Sequence, residues 1–292
     1  FVKDQSDNGW TSTTFETFLQ NRLESSSRWN DATYSEASPN PNGYYQGWGS
    51  TSQNVVIPAF LAAYMGKQVS EVSLDPFQTR AQPNWRVTYD GLTKIPAIKK
   101  YFKQFNLTHQ YRSTMTTSYI RNLNFTDNGA GLPSAIDASE QENYIPRNQI
   151  NTVTITEQLA PLIGFDMTIK TTGNNDPQVK VELKRDRTVA LGMSNLQITE
   201  TKSNSLVLGV GYKLTEVKNL FGRKSSKKLP FKTPSKTNIN LRADLTIRDN
   251  TTLIRKIEEH QNQPTAGQRL FSIKSSIDYV VNDKLNVRFF YD

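Results

Sequence analysis

The chain has no cysteine in 292 residues, so it uses neither disulfides nor thiolate metal sites, and redox chemistry says nothing about its compartment. It also lacks long apolar runs. The longest strongly apolar stretch is VVIPAFLAAYM, Val55 to Met65, with Pro58 inside it. A membrane-spanning helix needs about 20 such residues, so none is expected. Histidine is nearly absent: His109 and His260 lie far apart, and neither H-E-x-x-H nor G-x-S-x-G occurs. That argues against an enzyme and leaves no candidate catalytic, cofactor or metal residues. No basic segment followed by an apolar core opens the chain, and Phe1 is not an initiator methionine, so the sequence reads as a piece of something longer.

What remains is polar and aromatic. Hydrophobic residues make up 36%, with 12 Tyr, 14 Phe and 4 Trp, a mix that suits polar-lined sheets better than helical bundles. The stretch TNINLRADLTIRD puts Ile239, Leu241, Ala243, Leu245 and Ile247 on one parity and Asn240, Arg242, Asp244, Thr246 and Arg248 on the other. A period of two is a strand with one greasy and one charged face.

The same alternation recurs, giving strands at roughly 85–91, 104–122, 150–171, 178–199, 205–216, 238–249, 269–281 and 284–291. Residues 1–82 are expected to be an irregular loop or cap region with a short helix near 55–65, capped by Ser52 or Asn54 and ended by Gly66. Residues 83–292 are then about eight antiparallel strands. PQVKVELKRDRTVALGMSNLQITE suggests one very long strand from Pro177 to Glu200. VNDK around Asn282 and Asp283, and TTGNNDPQ from Thr171, read as tight turns, whereas 124–148 and 250–267 read as long loops. Short turns at one end and long loops at the other is the layout of outer-membrane barrels, short end in the periplasm.

Alternation alone does not say which face is inside. The fold expected here is all-β: an antiparallel transmembrane β-barrel segment. A small structural or porin-like outer-membrane barrel and a soluble β-sandwich binding module are the alternatives. In the barrel reading, the lipid-facing set is Val179, Val181, Leu183, Leu206, Leu208, Val210, Ile239, Leu241, Leu245, Ile247, Ile273, Ile277, Leu285 and Val287. The pore-lining set is Lys180, Glu182, Lys184, Arg242, Asp244, Arg248, Lys274, Asp278 and Arg288. Mixed charge would keep a channel hydrated and non-adhesive, or would form only cross-strand ion pairs of modest worth. Gly209 and Gly211 relieve crowding on the polar face, and His109, at the parity of Leu107 and Tyr111, reads as a packed or interfacial residue in preference to a proton relay. The net charge of +8 owes much to LFGRKSSKKLPFKTPSK, with Arg223, Lys224, Lys227, Lys228, Lys232 and Lys236. That composition suits a solvated loop, here periplasmic, or contact with anionic head groups or an acidic partner. It carries no interleaved aromatics to stack on nucleic acid.

Several collinear stretches resemble the SprA/Sov family, the outer-membrane translocon of the type IX secretion system. They are TSQNVVIPAFLAAYMGK from Thr51, PNWRVTYDGLTKI from Pro83, FNLTHQYRSTMTTSY from Phe105, APLIGFDMTIKTT from Ala160, VELKRDRTVALGMSNLQITE from Val181 and NINLRADLTIRDNTTLIRKIEE from Asn238. FLQNRLESSSRWN, from Phe18, carries the likeness weakly. The resemblance implies one arc of a very large barrel, a class whose largest known members have about 36 strands. It implies outer-membrane lipid, secreted proteins bearing a C-terminal sorting signal, a PorV-type barrel at a lateral gate and a periplasmic plug as partners. The location implied is the outer membrane of a Gram-negative, Bacteroidota-type bacterium. By that likeness a final loop, return strand and terminal aromatic residue should follow Asp292.

Overall fold

The computed structural model describes residues 10–33, 38–77, 83–138, 142–173, 175–218, 236–282 and 285–292. Eight strands form one antiparallel sheet in which each pairs with its neighbours in sequence. They are β1 (Trp85–Tyr89), β2 (Phe102–Arg121), β3 (Asn148–Ile169), β4 (Gln178–Gly192), β5 (Gln197–Lys218), β6 (Lys236–Lys256), β7 (Gln261–Asn282) and β8 (Leu285–Tyr291). The sheet is open, since β1 and β8 lie at its two ends and do not pair. The alternatives of a closed eight-strand barrel and of a two-sheet sandwich therefore do not describe this fold.

Three sequence expectations are corrected. The stretch from Pro177 to Glu200 is two strands, because Met193–Leu196 turns the chain between β4 and β5, with Leu196 at a φ of 44°. The loop expected over 250–267 is mostly strand, reduced to a four-residue turn between Lys256 and Gln261. Strands of 21 and 22 residues result, about twice the 9–11 needed to cross a bilayer. Residues 1–82 are not merely irregular either: α1 (Thr13–Thr33) is a 21-residue helix. The basic residues Arg223, Lys224, Lys227, Lys228 and Lys232 lie outside the described residues, as does the side chain of Lys236.

The short helix forms as its sequence predicts, as α2 (Gln53–Met65), stopped by Gly66 in the left-handed region at φ 64°. Pro58 has no N–H to give the Asn54 carbonyl, and the Trp29 indole supplies that bond instead at 2.6 Å. A further short helix, α3 (Pro96–Tyr101), leads into β2. α1 starts with the Ser12 hydroxyl accepting from the Phe15 N–H at 3.3 Å. Its buried face is Phe15, Phe18, Leu19, Arg22, Ser25, Ser26 and Asn30, a helical spacing in which the serines let a neighbour approach closely.

The two helices pack on the upper part of the sheet, where Phe15, Phe18, Val56, Ile57 and Phe60 meet Val153, Ile155, Val189, Leu191 and Ile198. Ile150 joins this face although its parity is opposite to that of Val153, because the β2–β3 register slips between Ser118 and Tyr119. Beside the cap, Trp48 stacks on Trp29 at 4.8 Å and meets Tyr144 at 5.0 Å. Gly47 permits this. Its φ is +80°, and a Cβ there would lie 2.0 Å from the Tyr144 ring. Gly47→Ala should therefore cost about 1–2 kcal/mol through the backbone alone and more through the displaced ring, read as a lower melting temperature of the cap.

Candidate functional site on the two faces of the sheet

Register fixes which side chains share a face. One row across the sheet reads Ile163, Leu183, Leu206, Ile247 and Phe271; the next reads Phe165, Val181, Leu208, Leu245 and Ile273. Below them come Met167, Val179, Val210 and Ala243, then Tyr212, Leu241, Ile277 and Phe289, then Leu214, Ile239, Tyr279 and Val287. These five rows span about 27 Å along the strands, comparable with the apolar band of about 25 Å of outer-membrane barrels before strand tilt shortens it. Among the described residues nothing covers much of this band. Val210 is 50% exposed, Ile273 47% and Phe289 65%. A contiguous apolar face of this breadth is not a surface that water tolerates well. Every residue of the expected lipid-facing set lies in it, Leu285 at its margin by the parity of Val287.

The expected pore-lining set lies on the opposite face. One row there reads Asp166, Lys180, Gly209, Asp244 and Lys274, with alternating charge interrupted by glycine. A Cβ on Gly209 would sit 2.7 Å from an Asp244 carboxylate oxygen, so this glycine makes room for a neighbouring strand's side chain. Gly211 has ordinary clearance, 3.7 Å from Gln178, and the crowding argument does not extend to it. Most charges are matched locally. Glu182 accepts from Lys180 at 2.9 Å and Lys184 at 3.0 Å, Arg242 reaches Asp244 at 2.7 Å, and Lys274 lies 3.6 Å from Asp292. Arg288 grips the carboxylate of its cross-strand partner Asp278, and Arg248 stands opposite Ser205. This face is hollowed: troughs of about 390 and 620 Å³ run over Gln104, Asp166, Lys180 and Arg242, and over Asn106, Asp176 and Lys213.

Sequence reasoning missed a polar belt on the apolar face. Directly above the Ile163 row stand Leu159, Arg185, Asn204, Asp249 and Arg269, and above these Glu157, Arg187, Lys202 and Thr251. The signal was present: in VELKRDRTVAL, Arg185 and Arg187 occupy the parity of Val181, Leu183 and Val189. The helical cap begins just beyond, so band, belt and cap occupy one face in succession.

His109 is packed, its Nδ1 2.6 Å from the Leu162 carbonyl oxygen. Glu258 and Glu259 form no acid pair. Glu258 bonds Arg22 at 2.8 Å, tying the β6–β7 turn to α1, and Glu259 bonds Lys256 at 3.1 Å. Among the described residues no three metal-binding side chains come together, and no helix is long and apolar enough to cross a membrane.

Tyr64, at the C-terminal end of α2, faces the belt. Burial and the nearby Glu157 carboxylate push its phenol well above the ordinary value of 10.0. The folded state thus favours the neutral phenol, so its contribution is intact below pH 10 and is lost as pH rises from there toward the raised folded value. Alkaline unfolding of the cap should start above pH 10, and Tyr64→Phe should remove that part of the dependence, measured by circular dichroism against pH.

Compared with protein-family models and with curated proteins, the chain matches none.

Proposed function

We propose that this chain is a wall segment of an outer-membrane protein-conducting channel, its apolar face against lipid and its polar face lining a wide aqueous pore through which secreted proteins pass. The observation that carries the reading is the pairing of a five-row, largely exposed apolar band on one face with a polar, mostly charge-matched surface on the other, in an up-and-down sheet with both edges unpaired among the described residues. A soluble sheet would cover its apolar face; among the described residues this one leaves it open over a span comparable with a barrel's apolar band. Two bare edges would be strong pairing sites, so a wall needs further strands to satisfy them.

The polar face suits passage of protein. Most of its cations are held by carboxylates in i,i+2 and cross-strand pairs, so a polypeptide meets little unbalanced charge and no apolar wall to stick to. The strands' upper halves and the cap reach beyond the band at the end that carries the long β2–β3 connection, the end that an outer-membrane barrel turns to the cell exterior. Sorting-signal cargo, a PorV-type lateral barrel and a periplasmic plug belong to that likeness and are part of the proposal. Imaging of the full-length protein in lipid tests it by strand count: well over eight strands around a continuous aqueous lumen is the expected result. Closure at eight strands would refute it.

A further inference from the structure

The polar belt contains a recess that the channel reading does not use. It holds about 300 Å³ and is lined by Tyr111, Glu157, Leu159, Arg185, Arg187 and Lys202. Arg187 is fixed from behind: its Nε donates to Glu200 at 2.7 Å, its Nη1 to Glu157 at 3.3 Å, and its guanidinium lies 6.0 Å from the Tyr64 ring. Glu200 is 2% exposed and points away from solvent, while Glu157 also accepts from the Tyr111 hydroxyl at 3.1 Å. Both carboxylates are thus engaged in holding the recess in shape. Arg185 makes no ion pair among the described residues and stands exposed at the mouth. Lys202 lies beside Arg187 in register.

Height gives the recess its meaning. Arg185 belongs to the row immediately above Ile163, Leu183, Leu206 and Ile247, one pleat repeat of about 7 Å away. Trp85 stacks on Tyr111 at 4.5 Å and is 45% exposed, an amphipathic aromatic pair at the same level, as at a membrane–water interface. A lipid whose chains cover the aliphatic rows would carry its head group to this level. Arginine's planar fork matches phosphate oxygens in pairs, and a lysine adds a point charge.

We propose that this recess binds the phosphate of an anionic lipid head group in the adjoining leaflet, which in an outer membrane's outer leaflet is the phosphate of lipopolysaccharide. The inference rests on the lipid-facing reading of the aliphatic band. It adds a specific annular site that would fix the wall's depth in the membrane.

The test uses the full-length protein in phosphatidylcholine nanodiscs doped with bisphosphorylated lipid A or with the same lipid stripped of phosphate, scoring co-retained lipid by native mass spectrometry. The phosphorylated form should be retained about tenfold better, and Arg185→Gln with Lys202→Gln should erase that preference. Lys180→Gln with Lys184→Gln, an equal charge loss on the polar face, should leave it intact. Arg185→Gln alone should lower the preference about threefold and serves if the double variant melts early. Equal retention of both lipids, equal loss in both double variants, or displacement by millimolar inorganic phosphate as by lipid A would overturn the proposal. A protein that will not remain in nanodiscs at all would instead refute the lipid-facing reading beneath it.

Discussion

Val210→Arg and Leu245→Arg should each prevent stable membrane assembly of the full-length protein, while Ser276→Arg on the opposite face should be tolerated. Near the bilayer midplane an arginine on the lipid face costs about 2–4 kcal/mol. The comparison discriminates because of where these side chains sit. Val210 is in the middle row of the band and half exposed, and Leu245 is half-buried among Leu208 and Ile273. Neither is sealed in a core, so in water an arginine at either would move stability by only about 0.5 kcal/mol. A large loss therefore reports lipid. Heat-modifiable migration and recovery in the membrane fraction would measure it.

Phe60→Ala should strip the helical cap from the sheet. Phe60 is fully buried, 6.4 Å from Phe18 in an edge-on contact, and belongs to the cluster that joins α2 to β3, β4 and β5. Emptying such a site costs about 3–5 kcal/mol, the transfer of the ring plus the cavity left behind. The cap is a local unit above the belt, so the loss should fall on α1 and α2. Their hydrogen-exchange protection should drop by about a hundredfold or more, while the lower halves of β5 and β6, held by continuous ladders from Gln197 to Leu214, keep theirs. A uniform loss through the whole sheet would mean that cap and band fold as one unit.

The sheet was legible in the sequence wherever one parity stayed apolar. TNINLRADLTIRD and LVLGVGYKL state their faces directly, and the observed register puts their residues where the alternation does. Parity failed where the environment changes along a strand. At Arg185 and Arg187 the apolar face becomes polar, then apolar again at Val189, and a single parity rule has no place for those arginines. α1 escaped for a related reason: its buried face includes the polar residues Arg22, Ser25, Ser26 and Asn30, and the partners of Arg22 (Glu258 and the Ser50 carbonyl) and of Ser26 (the Trp48 carbonyl) come from remote segments. The β4–β5 turn hid inside an apolar-looking run because Leu196, at positive φ, is an uncommon turn residue. The opposite error occurred over 250–267, where Asn, Gln, Pro and Gly read as loop: residues 250–256 continue β6 with Leu253 and Arg255 buried, and 261–267 belong to β7 and are mostly exposed.

Separate accessibility of the two faces tests the central claim most directly. The chain has no cysteine, so single Arg242→Cys and Leu245→Cys variants of the full-length protein, with any cysteine outside this chain replaced, report one position each. In membranes, Arg242→Cys should react with a charged, membrane-impermeant maleimide, and Leu245→Cys should react only with a lipid-soluble one. Equal reaction of both with the charged reagent, or the reverse pattern, would contradict the assignment of lipid to the aliphatic face and water to the charged one.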